Sequence, residues 1–185
     1  MNWATFEDTL QAQIRYAAFR GDGSYTNKAC IWAHQTADRA RVFPAGDGKQ
    51  LVVLKLQSST VIGEGQRDSI DNPDAEPGSE ILLRSSQHVE IILQVEVISK
   101  AAFGNDSAMA IAFRAKNYLE QSAPSAVLAA EGIFIIEQST IQHVPRVLET
   151  EWETRAVFDI RVRTLDVEEL PETFIETVQY NGTYT

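Results

Sequence analysis

Residues 153–165, ETRAVFDIRVRTL, alternate almost without exception. Ala156, Phe158, Ile160 and Val162 take one set of positions, and Arg155, Asp159, Arg161 and Arg163 take the other. Successive side chains of a strand point to opposite faces, so this pattern demands a strand with one dry face and one charged face. A dry face must be covered, so the strand belongs to a sheet with a second layer packed on it. The charged face is either ordinary solvated surface or a surface that meets another copy of the chain. The pattern leaves both open.

Other segments supply the rest of the sheet. Residues 80–99, EILLRSSQHVEIILQVEVIS, read as a long strand, broken or bulged near Ser85 and Ser86, with Val89, Ile91, Leu93, Val95 and Val97 in alternation. Residues 50–62, QLVVLKLQSSTVI, begin apolar on both faces, which suits a central, doubly covered strand. Between them, residues 63–80 (GEGQRDSIDNPDAEPGSE) lack periodicity and read as a long acidic loop or arm. Two long strands joined by such a loop predict an antiparallel hairpin. Shorter strands are expected at 29–35 and 133–138, with a linking stretch over 139–150. A turn is expected at DVEELPE (166–172), a last strand at TFIETVQY (173–180), and a loose tail at 181–185.

Two principal helices complete the layer. Trp3, Phe6, Leu10, Ile14 and Ala17 or Ala18 recur at helical spacing over 2–20, with Asn2 as candidate N-cap and the GDGS stretch as the stop. Residues 107–121 form the second, with Asp106 as candidate cap and Phe113 and Leu119 turned inward. SAPSAVLAAEG adds a short helical piece with Pro124 near its start. Strands clustered around one helical segment predict an α+β fold: a single domain over 1–185, its mixed, mainly antiparallel sheet packed on two helices. A chain of 185 residues is long enough to bury one sizeable core.

The chemistry is sparse. No GxGxxG follows a strand, and no Walker loop, HExxH or GxSxG is present. His34, His88 and His143 are scattered without ligand spacing, and His34 reads as a polar strand residue. DNPDAE at 71–76 lacks the central glycine and the closing glutamate of a calcium loop, and reads as a solvated loop. The single cysteine, Cys30, lies in the apolar run ACIWA and reads as a buried small residue; it excludes an intrachain disulfide. No catalytic residue, cofactor or metal is expected. A formal charge of −10 disfavours nonspecific grip on DNA or anionic membranes. No apolar run approaches bilayer length and the N-terminus carries no signal-peptide pattern, so no membrane association and a cytosolic setting are the default expectations.

The order of elements resembles the phage neck terminators, the neck or tail-terminator proteins of tailed bacteriophages. The resemblance is carried by an N-terminal helix leading to IWAHQ (Ile31–Gln35), then by an arginine-proline loop and strand from Arg39 to Leu56. It continues in HVEIILQVEVIS running to AFRAKNYLEQ, in the step AAEGIFIIE, and in the arginine-bearing strand ETRAVFDIRVRTL. Together these span about residues 3–180. The resemblance implies a structural virion protein without catalysis. It implies a ring, commonly hexameric, assembled in the host cytoplasm at the head–tail junction. There it would join the connector proteins to the tail tube or other tail proteins and let DNA pass. A tail-tube or baseplate-associated subunit is the alternative structural role, and a small enzyme or ligand-binding protein the alternative outside that class.

On this reading Arg155, Asp159, Arg161 and Arg163, with the acidic run Asp166, Glu168 and Glu169, are the candidate interface between copies. Glu64, Arg67, Asp68, Asp71, Asp74 and Glu76 are the candidate lumen or arm residues. An acidic lumen suits DNA that must slide, because a wall that gripped phosphates would slow it.

Overall fold

A computed structural model describes residues 3–19, 28–35, 50–71, 81–100, 104–148 and 151–172. Helix α1 (Trp3–Phe19) leads to strand β1 (Lys28–Trp32) and a single 3-10 turn (Ala33–Gln35). Strands β2 (Gln50–Asp71) and β3 (Ile81–Ser99) follow. Helices α2 (Ala108–Leu119) and α3 (Ser122–Ala130) precede β4 (Ile133–Gln138), β5 (Gln142–His143), β6 (Arg146–Leu148) and β7 (Glu151–Glu172). The main path of the sheet runs β1-β2-β3-β7-β4, and β5 and β6 also pair with β7. Among the described strands only β1 and β2 are parallel. The fold is therefore α+β, with a mixed, mainly antiparallel sheet.

The core follows from the alternation. Val89, Ile91, Leu93, Val95 and Val97 of β3 face the helices with Ala156, Phe158, Ile160 and Val162 of β7, all nearly inaccessible to solvent. From α1, Phe6, Leu10, Ile14, Ala17 and Ala18 pack against them. Helix α1 is also tied to β1: Gln11 Nε2 donates to the Cys30 carbonyl (2.6 Å), and Trp32 Nε1 donates to the Glu7 carbonyl (3.3 Å). Leu51, Val53 and Ile98 form a small second cluster with Ala29 and Ile31. Residues 51–54 are thus buried on both faces, as their unbroken apolarity predicts.

Helix α2 turns Leu119 inward as expected but Phe113 outward. Its buried stripe is Ala108, Ile111, Ala112, Ala115 and Leu119, and Phe113 is 51% exposed. Three alanines let the helix approach the sheet closely, so its inward face is its small face rather than its aromatic one. Its cap is Ser107, whose side chain accepts from the Ala110 N–H (3.4 Å), rather than Asp106. Asp106 is occupied elsewhere, accepting from Gln50 Nε2 at 2.9 Å. The helical piece at 122–132 is α3, and Gly132, at φ 69°, turns the chain from it into β4.

Four further expectations change. The stretch read as a loop over 63–80 is strand as far as Asp71, while 72–80 lie outside the described residues. The turn at 166–172 is strand as well, since β7 runs to Glu172. The strand at 29–35 ends at Trp32, which places His34 on the 3-10 turn. The linking stretch 139–150 contains β5 and β6. The first two errors share a cause: β2, β3 and β7 continue past the helix layer as a three-stranded arm. None of its described residues belongs to the helix-covered core, so the sustained apolar alternation of a covered strand is not required there. Breaks in register at Leu56/Ser58 and Ile62/Gln66, with Gly63 at φ 76°, further obscure the period. The expected strand at 173–180, the tail 181–185, the arginine-proline loop that begins at Arg39 and the GDGS stop all lie outside the described residues.

Candidate functional site

The charged positions of β7 lie on the face opposite the helices, and most are answered within the sheet. Glu96, with its side chain 9% exposed, accepts from Lys55 Nζ and from Arg155 Nη1 (3.0 Å). Arg155 Nη2 also reaches Glu153 at 3.2 Å. Two cations and two carboxylates from β2, β3 and β7 thus compensate one another in a poorly hydrated patch. Further along the face, Glu90 lies between Arg161 (3.4 Å) and Arg163 (3.6 Å), and Arg161 also meets Glu137 of β4 (3.3 Å). Both arginine side chains there are more than 40% exposed, so these pairs are solvent-screened. Asp159 is held by its backbone, exchanging hydrogen bonds with Ser139 at 2.8 and 2.9 Å.

The candidate interface residues therefore divide. Arg155 is sequestered in the buried network, while Arg161 and Arg163 face solvent. Asp166, Glu168 and Glu169 lie on the arm, paired in register with Gln87, Ser85 and Arg84. Glu169 also approaches Arg84 at 3.6 Å. The candidate arm residues Glu64, Arg67 and Asp68 lie on the exposed outer strand of that arm. Asp71 ends β2, and Asp74 and Glu76 fall outside the described residues.

The arm is the largest feature that the sequence reading did not resolve. β3 and β7 stay in unbroken register from Ser99↔Thr154 to Ile81↔Glu172. At about 3.3 Å per residue, the pair extends roughly 25 Å beyond Val89, the last β3 residue of the helix-covered core. Along it, Glu64, Asp68, Asp166, Glu168 and Glu169 outnumber Arg67 and Arg84.

A second feature is the outer strand β4, which among the described residues pairs only with β7. Phe134 is 51% exposed and Ile136 47% exposed. A groove of about 450 Å³ runs between this strand and α3, with Leu119, Leu128, Ile133 and Ile135 in its walls. The run IFIIEQ is more apolar than an outer strand needs, and that excess is the signal by which the sequence would have marked it.

Cys30 is 6% exposed, and burial pushes its thiol up to about 12, with Arg15 pulling weakly the other way. It is protonated at neutral pH and built into the core. Among the described residues, no three of His, Cys, Asp and Glu are placed to hold a metal ion, and no helix is long and apolar enough to cross a membrane.

Strand edges left unpaired among the described residues, a partly apolar groove and a projecting arm are the features of a protein that assembles with other proteins. The profile of the phage neck terminator protein family matches residues 23–185, and the chain belongs to that family. It is a structural protein of the phage neck. Comparison with curated proteins finds no significant match.

Proposed function

We propose that this chain is the repeating subunit of a closed ring, hexameric in number, at the head–tail junction of a tailed phage. The ring joins the head connector to the tail and leaves a central channel through which DNA passes. The observation that carries this reading is the arm. A three-stranded ribbon whose described residues all lie outside the helix-covered core adds little to that core, so its use lies in contact with something else. Its excess of carboxylates suits a channel wall, because it repels phosphates and lets DNA slide. Arg161 and Arg163, half exposed on the body, are the cations available to an acidic arm from a neighbouring copy. Assembly takes place in the host cytoplasm, and the mature protein resides in the virion.

The test is the location and charge of the arm in an assembled particle. The reading expects an electron-microscopy map with one ring between connector and tail and a net negative band facing the channel. A continuous band of arginine and lysine around the channel contradicts the channel-wall role. Absence of the chain from the neck contradicts the whole reading.

A further inference from the structure

We propose that copies of this chain join by extending the sheet, the free edge of β2 in one copy pairing with β4 of the next, so that Leu56 and Val61 fill the groove beside α3. This rests on the ring reading and adds the surfaces that would build it.

Three observations converge. First, among the described residues the sheet has two unpaired strand edges at its opposite ends. β1 covers β2 only from Gln50 to Leu54, so beyond that point β2 pairs, among the described residues, with β3 alone. β4 is the other end of the path. Surfaces at opposite ends of a subunit make a head-to-tail contact, the kind that closes into rings.

Second, the faces match. Leu56 pairs with Leu93 and Val61 with Val89, and both partners belong to the helix-covered core. Cross-strand partners share a face, so Leu56 and Val61 project on the helix side of the sheet. Yet they are 52% and 50% exposed, and neither belongs to the helix-covered core. The groove lies on that same side, between β4 and α3. In a continuous sheet α3 of one copy would supply the cover that Leu56 and Val61 of the other lack.

Third, the opposite face agrees. Phe134, in register with Arg163, is exposed on the charged side. Ile62, in register with His88, projects to that same side and is only half-buried. In such a sheet Phe134 of one edge would meet Ile62 of the other on the charged side. Main-chain hydrogen bonds supply the affinity of such strand addition, and the alternate side chains supply its specificity.

The experiment uses the purified full-length chain and has two arms. In the first, Leu56→Asp and Val61→Asp are combined; both positions are exposed, so the fold is retained, which circular dichroism checks. Association is expected to weaken about 30-fold or more. In the second, a chain carrying Phe134→Cys is mixed with a chain carrying Thr60→Cys or Ile62→Cys under oxidising conditions. A disulfide-linked pair is expected from the mixture and not from either chain alone. Rings that form normally with the double aspartate variant, or mixtures that never cross-link, overturn this inference and leave the ring reading intact. Cross-linked chains that never close overturn the ring reading and leave the edge pairing intact. A wild-type chain that stays monomeric at every concentration overturns both.

Discussion

Glu96 shows how the charged face is held. It is nearly buried and flanked by Lys55 and Arg155, and Arg155 in turn meets Glu153. Removing one member of such a network leaves an uncompensated buried charge, which typically costs about 3–5 kcal/mol. Arg155→Ala is therefore expected to lower stability by roughly 3 kcal/mol in urea unfolding. Arg161→Ala, at a solvent-screened pair, is expected to change it by less than about 1 kcal/mol. Equal effects would contradict the division of the face into buried and screened parts. Cys30 offers a second check. Its folded pKa is raised, so above about 9 the unfolded thiol loses its proton while the folded thiol keeps it. Its contribution to stability is complete below that pH and is lost as pH climbs toward 12. Stability measured from pH 8 to pH 10.5 should fall more steeply for the wild-type chain than for Cys30→Ala. Parallel slopes would mean that the thiol is not buried.

At the scale of elements, the cap of α2 is the sharpest local claim. Ser107→Ala removes the acceptor for the Ala110 N–H and is expected to cost about 1 kcal/mol. A midpoint of urea unfolding identical to wild type would refute that capping role. What the sequence made legible, and what it hid, also divides by element. Where a strand or helix has one covered side, its period is written in residue type: 153–165, 89–97 and α1 were readable for that reason. α2 was readable as a helix with Leu119 inward, but Phe113 was misplaced, since the buried stripe is mostly alanine and the aromatic residue faces out. The arm was unreadable because its described residues lie outside the helix-covered core, and a strand that contributes nothing to the core need not alternate. The groove beside β4 was hidden differently. It is made by α3 and β4 together, and no local pattern records how two elements stand apart.

For the whole molecule, one sheet carries both the core and the surfaces offered to other copies. The helices cover β3 and β7 over their central length and stop short of the outer part of β2, so the division between fold and docking surface runs along single strands. Shortening the hairpin should separate the two. Removing Arg67–Ser85, whose flanking residues Gln66 and Ser86 are cross-strand partners, deletes distal arm without touching the core. The shortened chain is expected to unfold cooperatively, losing less than about 1 kcal/mol, and to fail in head–tail joining. Normal joining would contradict an assembly role for the distal arm. The most direct test of the account is the mass and shape of the purified full-length chain, by native mass spectrometry and negative-stain microscopy. The account predicts closed single rings of one fixed subunit number. A lone monomer at every concentration, or open-ended tubes of indefinite length, would contradict it.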